Sequence, residues 1–262
     1  MRIVVAALVA LGIACAMCPG GVFAAEKESS DAPLETLVTG LASIDSPAPG
    51  LAGTEIRSIF MVEDEIRAFV PPQMRELVRR GLGALPILLR HLDDRRATNL
   101  KINTRLLTWT EFGDEYYPRI HASQPTCGSL CLGKEYKEPR MFKGPYLVKV
   151  GDVCFVLIGQ IVNRNLTAVR YEPPGGLIVN SPIETPSLSE RARADWENLD
   201  AQSHEASLRA DIKASPNMSY FRGGLAQLRF YYPNAYATLS GEDAKKRDAF
   251  ESEEKTARAA RP

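Results

Sequence analysis

The chain lacks most of the signatures by which an enzyme is read from sequence. Gly-x-Ser-x-Gly, a Walker loop, Gly-x-Gly-x-x-Gly and His-Glu-x-x-His are all missing from its 262 residues. No nucleophile elbow, phosphate cradle, dinucleotide fingerprint or zincin helix can therefore be assigned. Neither charge sign is in excess, with 32 basic and 32 acidic side chains and a pI near 6.8. That balance argues against a dedicated nucleic-acid binder, which carries a basic surplus. There are three histidines and five cysteines, and beyond Cys15-Ala16-Met17-Cys18 in the N-terminal apolar segment there is no paired Cys-x-x-Cys or His-x-His element that would suggest a metal site. No metal or cofactor is expected. With 45% hydrophobic and 24% charged residues, global disorder, collagen-like repeats and a multi-span membrane protein are excluded.

What is present begins with an address. Arg2 supplies a positive start, Ile3 to Met17 are uncharged and apolar, and small residues follow at Val22-Phe23-Ala24-Ala25. This is the grammar of a secretory signal peptide cleaved after Ala24 or Ala25. The apolar core of about 15 residues is short against the roughly 20 needed to span a bilayer. Cys15 after a small residue gives lipid anchoring as a minor alternative, although Gly12 stands where lipoprotein signals usually carry leucine. No twin-arginine pair is present. The expected location is exported, periplasmic or extracellular, in a bacterium, with no membrane span after signal removal. Cleavage after Ala24 leaves 262 − 24 = 238 residues and the cysteines Cys127, Cys131 and Cys154.

The expected organisation is a signal peptide at 1–24, a mobile polar linker at 25–33, and a single α-rich domain at 34–239 with an insert at 98–145. A charged tail at 240–262 is expected to be a frayed helix or disordered. Leu34, Leu37, Val38 and Leu41 recur at helical spacing, and a second stripe runs through Ile59, Val62, Ile66, Phe69 and Val70 to Pro71-Pro72. Met74, Leu77 and Val78 predict a short helix closed by Gly81 as a left-handed cap. Leu85, Leu88, Leu89 and Leu92 predict the next, with Pro86 in its first turn. Val150 to Val162 is apolar nearly all round, which predicts a central buried helix, with a buried strand as the competing reading. Leu100-Lys101-Ile102, Leu166 to Tyr171 and Leu177-Ile178-Val179 are expected as short extended pieces. Ser187 and Glu190 suggest a capping box, and Asn217 opens a helix that Pro233 stops. The fold class is mainly α, an irregular helical array with a minor β component.

Leu77-Val78-Arg79-Arg80-Gly81 followed by Ala84-Leu85-Pro86-Ile87-Leu88-Leu89-Arg90-His91-Leu92-Asp93-Asp94 resembles one HEAT-type helical hairpin. The likeness covers about residues 70–96, and no clean repeat near 40 residues continues it. Together with Gly151-Asp152-Val153-Cys154-Phe155-Val156-Leu157-Ile158-Gly159-Gln160-Ile161-Val162-Asn163-Arg164, the hairpin and the insert resemble a group of exported bacterial proteins of unknown function. That resemblance implies no activity.

Several constellations invite a chemical reading. Gln124-Pro125-Thr126-Cys127-Gly128-Ser129-Leu130-Cys131 resembles the papain-type active-site segment. Leu130 is an insertion in that pattern, however, and Leu132 replaces the expected tryptophan. His204 follows Cys131 by 204 − 131 = 73 residues, against the roughly 130–150 of that family. A disulfide between Cys127 and Cys131 is the expected role in an oxidising compartment, contributing about 2 kcal/mol for so short a ring. Cys154 is then a core thiol. Asp114 and Glu115 beside Tyr116 and Tyr117 could meet a cation or sugar. Glycosidase chemistry needs facing carboxylates about 5–10 Å apart, and adjacent ones on a loop point apart. His91 near a helix C-terminus is expected to meet free carbonyls.

Three functions follow as expectations. The first is an exported non-enzymatic helical scaffold, protein-binding or envelope-associated, whose insert meets another exported or envelope protein. The alternative is a hydrolase of unrecognised type using His121, Asp114, Glu115 and Cys131 of the insert. A structural module of a larger envelope assembly is a third, blander reading.

Overall fold

The computed structural model describes residues 33–45, 70–102, 108–110, 145–164, 166, 168–172, 176–214 and 218–259. The expected helix over 54–70 therefore lies outside them, apart from Val70, which is buried. Chain order begins with α1 (Leu34–Gly40), α2 (Pro72–Arg80) and α3 (Leu85–Arg90), each running on into a short 3-10 turn. Strands β1 (Ala97–Ile102), β2 (Thr108–Thr110) and β3 (Tyr146–Lys149) lead into α4 (Val150–Val162). A hairpin of β4 (Val169–Glu172) and β5 (Gly176–Val179) precedes α5 (Pro186–Trp196), α6 (Ala201–Ala214), α7 (Met218–Tyr231), α8 (Pro233–Ala237) and α9 (Gly241–Ala259). The described residues are mainly α.

Helix α4 is the axis of the main core, and all 13 of its residues are buried. Its apolar side chains point in every direction, and so they need neighbours in every direction. Leu77, Val78, Leu85, Leu88 and Leu92 of the hairpin join Val153, Phe155, Leu157, Ile158 and Ile161 of α4 in one cluster with Val38, Leu41 and Trp196. The glycines that weaken the helical reading sit where backbones meet. A Cβ at Gly151 would lie 2.4 Å from the Leu92 carbonyl oxygen, and one at Gly159 2.7 Å from that of Arg164. At the far end Asn163 turns left-handed (φ 55°, ψ 48°), and the Arg164 N–H returns to Gly159 O at 2.8 Å.

A second cluster gathers Leu208, Ile212, Leu225, Leu228, Tyr236, Leu239 and Phe250 from α6 to α9. Of the two readings of the tail from 240, a frayed helix or disorder, the described residues take the helical one. Gly241–Ala259 is a helix, and Phe250 is buried beneath it. The charges that suggested disorder find partners on α7, as described below.

The two short helices expected on either side of Gly81 form, and Gly81 closes α2 with a positive φ of 54° that disfavours any other residue. Its ψ of −127° departs from the left-handed helical cap anticipated. After the 3-10 turn His91–Asp93 the chain extends into β1 rather than a further helix. The capping box at Ser187 and Glu190 is also corrected. Pro186 opens α5 behind Thr185, which makes no side-chain cap bond. Pro233 stops α7 and opens α8, where its missing N–H is harmless.

Two small sheets hold the insert. β1 and β3 pair antiparallel, with Ala97 opposite Lys149 and Ile102 opposite Tyr146. β2 joins β5 in parallel, and β5 pairs antiparallel with β4. The insert begins with the short extended piece expected at Leu100-Lys101-Ile102, in which alternate residues Thr98, Leu100 and Ile102 are buried.

Candidate functional site

The described residues that carry chemistry converge at the base of the insert. Asp152 is the third residue of α4 and accepts the N–H of the flanking Lys149 at 2.9 Å, which satisfies one orphan donor of the helix start. The same carboxylate accepts from the Tyr146 hydroxyl at 2.8 Å and from Ser181 Oγ. Ser181 Oγ in turn accepts the N–H groups of Ile183 at 3.1 Å and Glu184 at 3.3 Å. Lys149 Nζ pairs with the Glu184 carboxylate and lies 5.1 Å from the centre of the Tyr146 ring. Five side chains, from β3, α4 and the turn after β5, therefore form one connected node.

Its electrostatics are set by burial. Asp152 is fully enclosed, and desolvation pushes its carboxyl above the ordinary range against the bonds from Ser181, Lys149 and Tyr146, which favour the anion. Burial, reinforced by the neighbouring Asp152 charge, pushes the Tyr146 phenol up as well. Cys154 is a free, buried thiol raised in the same way, which suppresses the thiolate. Beside the node, Asn180 is buried, and among the described residues neither its side-chain nitrogen nor its side-chain oxygen has a hydrogen-bond partner.

A second network closes the other end of α4. Arg164 is buried and reaches Asp211 Oδ2 at 2.7 Å, Ser207 Oγ at 3.1 Å and the Asn163 carbonyl at 2.8 Å. Asn163 Nδ2 donates to Asp211 Oδ2 at 2.8 Å and to Tyr220 O at 2.9 Å. His204 on α6 lies 2.9 Å from Ile161 O through Nε2 and 2.9 Å from the Tyr232 hydroxyl through Nδ1. A carbonyl only accepts, so Nε2 carries the hydrogen and Nδ1 accepts from Tyr232. Burial holds this histidine down to about 4, opposed by the Ile161 carbonyl bond and aided by the Arg164 charge. It is neutral at pH 7, with both nitrogens engaged.

Of the residues singled out from sequence, Asp114, Glu115, His121, Cys127 and Cys131 lie outside the described residues, as do Cys15, Ala24 and Ala25. Cys154 is the core thiol expected. His91 differs from expectation: its ring nitrogens face Asp94 Oδ2 at 2.9 Å and Glu35 Oε2 at 3.3 Å rather than helix carbonyls. Those two carboxylates also meet Arg96 and Arg90, so the charge pairs compete with free carbonyls for the ring. Among the described residues no group of three or more His, Cys, Asp or Glu could hold a metal ion, and no helix is long and apolar enough to cross a membrane.

Sequence reasoning passed over Asp152, Tyr146, Ser181, Arg164 and Asp211. One signal was available for the first. A lone aspartate three residues after Lys149, at the head of an otherwise apolar helix, marks the position from which a carboxylate can reach back to the helix start. Ser181 and Asp211 carried no local signal. Comparisons with family models, with curated proteins and with solved structures each return no match.

Proposed function

We propose that the chain is an exported, non-enzymatic helical scaffold that presents its 98–145 insert to another exported or envelope protein. The observation that carries this reading is how the insert is mounted. Its flanks are neighbours across a ladder, Ile102 opposite Tyr146, and both residues are buried. Tyr146 is bonded to Asp152 at the head of the central helix. Binding elements are commonly loops held by a rigid frame, and this frame grips the insert at both ends. A second support is that Asp152, His204 and Cys154, three described groups suited to proton transfer or nucleophilic attack, are enclosed in the frame.

The test replaces residues 111–144 with a Gly/Ser segment of equal length, leaving both strand anchors in place. The variant is expected to keep its far-UV circular dichroism and cooperative melting while losing the cross-linked partner recovered with the wild-type chain. A folded variant that retains every contact would refute the role assigned to the insert.

A further inference from the structure

Helix α9 is attached by one buried aromatic side chain and otherwise by charged groups, among them Lys246 Nζ donating to Ile212 O at 2.8 Å and Arg247 to Ala237 O at 3.1 Å. Phe250 is the one buried residue among its described side chains. Around it, Glu253 meets Arg222 at 2.9 Å, and Glu254 meets Arg229 through two contacts of 2.8 and 3.1 Å. The Tyr236 hydroxyl donates to Glu251 at 3.1 Å. The Phe250 ring lies 5.7 Å from the Arg222 guanidinium and 5.3 Å from that of Arg229. Phe250, Glu253 and Glu254 are three and four apart and so share one helix face. They read a complementary face built from α7 and α8: two arginines flanking an apolar seat that includes Leu225, Tyr236 and Leu239.

An interface of this kind is easily opened. Ion pairs with one partner more than half exposed, as Glu253 is, are weak and are screened by salt. One aromatic side chain must leave the core, and the bonds from Lys246 and Arg247 to backbone carbonyls must break. Opening would expose the two arginines, the rim of Tyr236 and the apolar seat together.

We infer that α9 is a displaceable strap over a second binding face on α7 and α8. The partner this face fits is an acidic helix of another protein, carrying a phenylalanine with glutamates three and four residues later. In the resting chain α9 occupies its own site by the same recognition. The inference does not depend on the role of the insert.

A labelled peptide of residues 241–262 serves as the probe, read by fluorescence anisotropy on full-length chains. E253R/E254R in the receptor repels its own strap from Arg222 and Arg229 while leaving the face intact, so the peptide should bind it. R222E/R229E should abolish binding, and F250A in the peptide should weaken it at least ~10-fold. Raising NaCl from about 0.05 to about 0.5 M should likewise weaken binding by ~10-fold or more. Equal binding to both receptors, or none to an E253R/E254R chain whose circular dichroism matches wild type, overturns the proposal. A wild-type dimer abolished by E253R/E254R would also overturn it, assigning the face to a second copy instead.

Discussion

Substituting Asp152 separates two effects that oppose one another at the base of the insert. Asp152→Ala removes the acceptor for the Lys149 N–H, the Tyr146 hydroxyl and the Ser181 hydroxyl. Each buried donor left unsatisfied costs about 1–3 kcal/mol. Some relaxation around the shortened side chain leaves a net loss of about 3–4 kcal/mol, a large part of the 5–15 kcal/mol typical of a domain. For a domain of this size that lowers Tm by about 6–15 °C. Asp152→Asn keeps one acceptor oxygen and supplies an amide that the Tyr146 and Ser181 oxygens can accept, so it should lose no more than about 1 kcal/mol.

The pH dependence gives the sharper reading. Burial raises the folded-state pKa of Asp152 above its unfolded value. The folded state therefore holds this proton more tightly, and the associated stability is fully present below the unfolded pKa near 4. It is lost as pH rises through the folded value. Urea denaturation of wild type and Asp152→Asn at matched pH values above about 4 should show the wild type losing stability relative to the variant as pH increases. A difference that grows in favour of wild type with rising pH would refute the reasoning. It would mean that the three donors, with the helix dipole, outweigh desolvation.

Further outcomes test the other networks. Arg164→Met or Asp211→Leu alone leaves a buried group without its partner and should cost about 3–5 kcal/mol, while the apolar double variant Arg164→Met/Asp211→Leu should recover most of it; a purely additive double-mutant cycle would refute the coupling. His204, held at about 4 against an unfolded value near 6.5, makes the folded state lose roughly 3 kcal/mol as pH falls through that window. His204→Gln should flatten that acid limb, and an imidazole that titrates near 6.5 by NMR would contradict the burial account. If Cys127 and Cys131 are bonded, thiol titration of the unfolded, unreduced mature chain should find one thiol, that of Cys154; three would exclude the bridge. N-terminal sequencing of the exported chain should begin at Ala25 or Glu26, and an intact Met1 would exclude cleavage.

How much was legible depended on whether the signal was local. The α4 segment announced itself by apolar residues on every side, and Gly81 and Pro86 marked the hairpin turn because each serves the backbone conformation required there. The extended pieces at 97–102, 169–172 and 176–179 were visible from composition and from the prolines and glycines between the last two. The pairing of β2 with β5 was not, since residues 108–110 and 177–179 meet in parallel with nothing in either stretch to name the other. The node around Asp152 was hidden for the same reason: Tyr146 and Lys149 are near in sequence, but Ser181 and Glu184 arrive from the far side of a strand pair. The tail was ambiguous because a helix with one apolar anchor looks unable to bury anything until Arg222 and Arg229 are found beneath its glutamates.

The amino-acid sequence by itself determined the helical class, the apolar central segment and the positive-φ turn at Gly81. These follow from periodicity, backbone preference and composition, which act over a few residues. The tertiary structure decided which charges are enclosed, how both ends of the insert are gripped and why the charged tail is a helix. Those outcomes depend on desolvation and on pairings between distant segments, and neither exists until the chain has folded.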